Sequence, residues 1–141
     1  MTIYADTSFF VSLYVKDTHS ITADQMLRGG ERPLITPLHV AEWTHAIVQH
    51  VFRRQMTMAE ADRLHRDFHD DCAARIWQTI SVPETALEVC ADLGRRYGPK
   101  LGVRTLDSLH VACALELNTK RFWTFDDRQK KLAKAAGLDI R

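Results

Sequence analysis

Short apolar runs alternate with amphipathic stretches along the whole chain. Ile3-Tyr4-Ala5 is an apolar strand that stops abruptly at Asp6-Thr7-Ser8. The spacing after it predicts short helices over 8–15 and 20–27, the second closed by Gly29-Gly30. Leu34-Ile35 predicts a brief second strand. Thr36 then stands as an N-cap before Pro37, and the helix it opens is expected to reach about residue 55. Its expected apolar stripe is Val40, Ile47 and Val51, with Trp43 and Thr44 beside it. Thr57-Met58-Ala59-Glu60 is a capping box, so a new helix begins there and forms a helical hairpin with the one before. A third strand over 76–82, a helix opened by Pro83 and ending near Gly98-Pro99, a helix through Asp107 and a strand over 122–125 follow. A last helix over 129–136 is stopped by Gly137, with an edge strand expected over 138–140. Strands separated by helices imply an α/β fold, its sheet mostly parallel and covered on both faces.

The polar residues at the ends of the apolar runs carry the candidate chemistry. Parallel strands share one rim at their carboxyl ends, so Asp6 and Asp126-Asp127 are expected to meet there although far apart in sequence. Asp107 lies in the first turn of an otherwise apolar helix, on the flank of a stripe formed by Leu106, Leu109, Cys113 and Leu117. Asp6 and Asp126 also suit plain helix capping, and Asp126-x-x-Gln129 is an acceptable capping pattern. Glu42 lies opposite Val40, Ile47 and Val51, so periodicity alone places it in solvent. Taken together, the acids suit a hard divalent cation, which keeps carboxylates ionised side by side and takes oxygen ligands from water and phosphate. Ser8 and Thr124 add hydroxyls near the same rim, and Arg104 stands where a phosphate could be held.

Composition narrows the alternatives. With 141 residues the chain is expected to form one domain, and 19 basic against 18 acidic side chains leave a formal charge of +1. A polyanion would therefore meet a local patch, for which Arg53-Arg54, Arg95-Arg96 with Lys100, and Lys120-Arg121 are candidates, although most such groups are solvated faces. Cys72, Cys90 and Cys113 form no close metal-binding pair and suit buried thiols in a reducing compartment. His65 and His69 have zinc-ligand spacing but sit among charged residues, which favours a solvated helix face. His110, one turn after Asp107, reads first as a hydrogen-bonded semi-buried histidine and second as a neighbour of the site. Trp43, Trp77 and Trp123 read as core. No glycine-rich phosphate loop is present, which disfavours dinucleotide and P-loop chemistry. No basic-then-apolar leader or apolar run of ~20 residues occurs, so the expectation is a soluble cytoplasmic protein without a membrane partner.

Asp6-Thr7-Ser8, Glu42-Trp43, Arg104-x-x-Asp107-x-x-His110-x-Ala112 and Thr124-Phe125-Asp126, in that order and over nearly the full length, make the chain resemble the PIN-domain family. More narrowly, it resembles VapC-type toxins of toxin–antitoxin systems. The resemblance implies a three-layer α/β/α sandwich and a Mg²⁺- or Mn²⁺-dependent ribonuclease. It implies that Asp6, Glu42, Asp107 and Asp126 are the catalytic metal-binding quartet, with Asp127 assisting or merely exposed. It also implies an RNA substrate, a cognate antitoxin and a homodimer. The alternatives are a PIN nuclease of RNA processing, a catalytically silent module that binds RNA or protein, and a metal-dependent phosphatase of small esters.

Overall fold

The computed structural model describes residues 2–140, so Met1 and Arg141, the ends of the expected domain, lie outside the described residues. Four strands, β1 (Ile3–Ala5), β2 (Leu34–Ile35), β3 (Gln78–Thr79) and β4 (Arg121–Trp123), form a parallel sheet in the order β3-β2-β1-β4. The intervening helices are α1 (Thr7–Tyr14), α2 (Ser20–Leu27), α3 (Pro37–Phe52), α4 (Met58–Ala73), α5 (Ala86–Leu101), α6 (Thr105–Glu116) and α7 (Asp127–Ala135).

Strand alternation creates the layers. In β1, Tyr4 points into one core with Phe122 of β4, Leu132 of α7 and the buried sides of α5 and α6. Its neighbours Ile3 and Ala5 point into the other, with Trp123, Ile35 and residues of α1, α3 and α4. Because Tyr4 and Phe122 are register partners, their rings stack across the strands at 5.6 Å and 11°. The result is the expected α/β/α sandwich, in which every residue of β1 is buried.

Several element boundaries differ from expectation for local reasons. The third strand shortens to Gln78–Thr79, an exposed edge next to buried Trp77. The helix expected at Pro83 begins at Ala86 and continues through Pro99, ending where Gly102 adopts a left-handed φ of 64° and its N–H bonds to the Gly98 carbonyl. α3 stops at Phe52, followed by Arg53 and by Arg54 at φ 59°. Residues 138–140 form only an isolated parallel bridge, Arg121 to Asp139, rather than a strand.

Two helical stripes are also corrected. In α3 the buried residues are His39, Trp43 and Ile47, spaced four apart, whereas Val40 is 40% exposed. The expected stripe omitted His39 because a histidine does not read as core. In α6 the run from Ser108 to Ala114 is buried on every side and Leu106 is 47% exposed, so no single stripe exists to locate Asp107. Trp43, Trp77 and Trp123 are core residues as expected, and the three cysteines are free thiols.

Candidate active site

The rim is built by chain direction. β1 ends at Ala5 and β4 at Trp123, and the Asp6 N–H donates to the Trp123 carbonyl at 3.0 Å, so Asp6 and Thr124 leave the sheet side by side. Asp6 is 5% exposed. Its Oδ1 accepts from the Ser8 hydroxyl at 2.6 Å and the Phe9 N–H at 3.3 Å, and its Oδ2 from the Thr124 hydroxyl at 2.7 Å. The capping role foreseen for Asp6 is therefore real and uses one oxygen. Burial raises its pKa, against the opposing hydrogen bonds of Ser8, Thr124 and Phe9 and the charge of His110.

Glu42 is half-buried beside Thr7 and His110, contrary to the solvent position that periodicity alone gives it. Rotation of α3 about His39, Trp43 and Ile47 brings its half-buried side chain to α1 and α6. Its Oε1 accepts the Thr7 hydroxyl at 2.7 Å and meets Nε2 of His110 in a short contact. Burial works against the Glu42 carboxylate, but the hydrogen bond and charge of His110, with Thr7, outweigh it and hold its pKa below the usual value. His110 is 3% exposed, and its Nδ1 is 2.8 Å from the Tyr4 hydroxyl. His110 is hydrogen-bonded as the first reading expects, but fully rather than partly buried, and its contact with Glu42 sets it beside one of the candidate acids.

Asp107 and Asp126 join through intermediaries. Asp107, half-buried in the first turn of α6, accepts the Arg104 N–H on Oδ2 at 3.3 Å. Its carbonyl accepts the Gln129 side-chain amide at 3.2 Å, and the Gln129 carbonyl oxygen lies 3.2 Å from the Thr124 hydroxyl. Asp126 is exposed and caps α7 through the Gln129 N–H at 2.8 Å, while its own N–H donates to Thr124 Oγ1 at 3.0 Å. Thr124 therefore touches Asp6, Gln129 and the Asp126 backbone. Arg104 and Asp127 are exposed, Arg104 preceding α6 and Asp127 opening α7.

Sequence reasoning missed Thr7, Gln129 and His39 as supports of the rim. Gln129 was visible only as a capping partner, yet it is 2% exposed. His39 carries no sequence signal of its kind. Its Nε2–H donates to the Ala5 carbonyl at 2.7 Å, while Nδ1 accepts the Thr36 N–H at 3.0 Å. That pairing ties the end of β1 to the end of β2 and requires a neutral ring. Burial, with the charge of His110 adding to it, lowers the His39 pKa to about 3.

Asp6 supplies the test of fit for a divalent cation. It is a buried carboxylate disfavoured by desolvation, and among the described residues no lysine or arginine pairs with it. Oxygen donors from carboxylates and hydroxyls suit a hard cation. Among the described residues no three His, Cys, Asp or Glu side chains group as ready-made ligands. One or two carboxylates with water and substrate oxygens would then complete an octahedral shell, the habit of Mg²⁺.

Comparison with known proteins bears on the family and the fold. A family model described as the PIN domain matches residues 3–135. The structure is similar to VapC20 of Mycobacterium tuberculosis, described as a sarcin-ricin loop cleaving toxin, at 17% identity and a TM-score of 0.66, covering 99% of each chain. It is similar to FitAcB from Neisseria gonorrhoeae at 14% identity and a TM-score of 0.73, covering 99% of this chain and 96% of that one. It is also similar to VapBC2 from Rickettsia felis, solved with a DNA fragment from the promoter, at 15% identity and a TM-score of 0.67, covering 100% of this chain and 98% of that one. No curated protein sequence matches the chain.

Proposed function

The chain belongs to the PIN-domain family, and from that premise we propose that residues 1–141 form one metal-dependent endoribonuclease domain, acting as the toxin of a toxin–antitoxin pair. The observation that carries the reading is Asp6. A carboxylate buried at the end of the central strand, with both oxygens oriented by hydroxyl donors and no basic partner among the described residues, is poised for a cation.

Asp6 and Asp107 would hold Mg²⁺ or Mn²⁺, with Asp126 completing the set directly or through water. When bound, the cation would lower the pKa of a water and neutralise charge on the phosphoryl oxygens. Glu42, kept ionised by His110 and Thr7, is placed to orient the attacking water. Ser8 and Thr124 fix the Asp6 oxygens, and Gln129 fixes the Asp107 backbone relative to Thr124. Arg104, exposed before the Asp107 turn, is placed to meet a phosphate, and Asp127 stands beside Asp126 as an auxiliary acid. The reaction is hydrolysis: a water oxygen bonds to phosphorus, one P–O bond of the RNA breaks, and the leaving oxygen takes up a proton.

The toxin reading is supported by the full-length likeness to VapC20, described as a toxin, and to VapBC2. It brings with it a cognate antitoxin, a homodimer and a cytoplasmic setting. Among the described residues no helix is long and apolar enough to cross a membrane. The competing reading is a catalytically silent module that binds RNA or protein.

Cellular RNA incubated with the purified protein in Mg²⁺, Mn²⁺ or EDTA separates the two. Discrete fragments that need metal and disappear in Asp6→Asn and Asp107→Asn are the expected outcome. Metal-independent products, or undiminished cleavage by both variants, would sink the nuclease assignment, and well-folded protein that binds RNA without cutting it would establish the silent module. Cleavage without growth arrest on expression would move the protein to RNA processing.

A further inference from the structure

An aromatic stack runs from the core to the rim of the candidate site and ends on an exposed ring. Phe9, fully buried in α1, stacks on Phe125 with centroids 6.3 Å apart and planes 25° apart. Phe125 then stacks on His19 at 4.4 Å and 6°, a nearly flush contact. The backbones of both inner residues adjoin the candidate acids, while their rings pack in the core: the Phe9 N–H donates to Asp6, and Phe125 lies between Thr124 and Asp126 in sequence. His19 is exposed although one face is covered by Phe125. Its backbone is fixed, because the His19 N–H donates to Asp17 Oδ1 at 2.8 Å and Asp17 Oδ2 accepts the Ser12 hydroxyl at 2.9 Å. An exposed ring, flat on a second ring, with its backbone held by Asp17, has the form of a platform for another planar group. Unpaired nucleobases are planar and stack on such rings with little regard to sequence.

We propose that His19, backed by Phe125, is a base-stacking subsite that receives an unpaired nucleobase of the RNA next to the cleaved linkage. The inference rests on the ribonuclease reading and deepens it, since it makes single-stranded or splayed-out RNA the substrate class. Duplex RNA, whose bases are already stacked and paired, would not supply the ring.

The test uses a short single-stranded RNA carrying 2-aminopurine, whose fluorescence falls when the base stacks, with the full chain in EDTA so that binding is read without hydrolysis. The wild type should bind and quench. His19→Ala should bind about tenfold more weakly and lose the quench, the order of effect one base–ring stack supplies, and His19→Phe should restore both. In Mg²⁺, the loss in His19→Ala should fall on KM with kcat largely kept. Unchanged binding and quench in His19→Ala overturn the proposal, and so does a lowered Tm with unchanged binding, which would make the ring a fastener of the loop before α2. Absence of binding and quench in the wild type overturns it equally. Cleavage of unlabelled RNA is scored separately: cleavage with an indifferent His19 removes the subsite alone, whereas stacking without cleavage removes the nuclease and leaves a binding surface.

Discussion

The Thr124 hydroxyl donates to Asp6 Oδ2 at 2.7 Å across 118 positions of sequence. Asp6 is thereby oriented by Ser8 in α1, which follows β1, and by Thr124 just beyond β4, and neither segment alone fixes the carboxylate. Thr124→Val keeps the shape and removes the donor. Supporting partners of metal ligands are worth roughly 10- to 100-fold in metal affinity or activity, so we expect a loss in that range from metal-dependent cleavage, checked by titrating Mg²⁺ against rate. Thr124→Ser, which keeps the hydroxyl, should retain most of it.

Asp6→Asn should separate stability from activity. Asp6 has its pKa raised by burial, so the stability it contributes is present with the acid protonated and is lost as pH rises through the folded value. Above its raised pKa and without metal, the ionised wild type therefore carries a cost that the amide lacks. Thermal melts in EDTA should show Asp6→Asn at or above the wild-type Tm, while added Mg²⁺ should raise Tm only in the wild type. A variant less stable in EDTA would show the carboxylate to be a net contributor to the fold.

His39 sets a pH dependence of opposite sign. Its pKa falls from 6.5 in the unfolded reference to about 3 in the fold, so above 6.5 both states are neutral and its contribution is complete. Between 6.5 and about 3 the unfolded chain binds the proton that the folded ring refuses, and stability falls by up to about 1.4 kcal/mol per pH unit. Urea unfolding from pH 7.5 to 4.5 should show that slope in the wild type and a smaller one in His39→Gln. Equal slopes would place the titration elsewhere.

His110 and Glu42 act as a unit. Truncating either side chain takes one partner from the other's buried polar group, so Glu42→Ala and His110→Ala should each lower stability by about 1–3 kcal/mol. The double variant should cost clearly less than the two single losses added. Chemical denaturation of the four proteins measures the coupling, and simple additivity would mean that the contact does not persist in solution.

How far the sequence speaks depends on what each residue touches. Asp6, Ser8 and Thr124 were legible because an acid or hydroxyl that ends an apolar strand has few places to go in a parallel sheet. Glu42 was not legible from periodicity, because the register of α3 is set by His39, whose burial depends on two backbone partners, Ala5 at the end of β1 and Thr36 just after β2. Gln129 read as a cap; that its amide also spans from Thr124 to the Asp107 carbonyl is a tertiary fact. Asp107 presented the reverse problem. Its helix is buried on every side from Ser108 to Ala114, so a wheel drawn on that stretch has no solvent side from which to locate a flank.

The tie between β1 and β4 also has a meaning in time. A chain leaving the ribosome presents Asp6 more than a hundred residues before Thr124 and Gln129, while domains consolidate as their chains emerge. Until β4 pairs with β1 along Ile3–Ala5, the Asp6 carboxylate has no partner from the far end of the sequence, and Asp107 has no link to it through Gln129. An unfinished polypeptide, emerging beside the ribosome's own RNA, therefore carries the acids without the frame that aligns them.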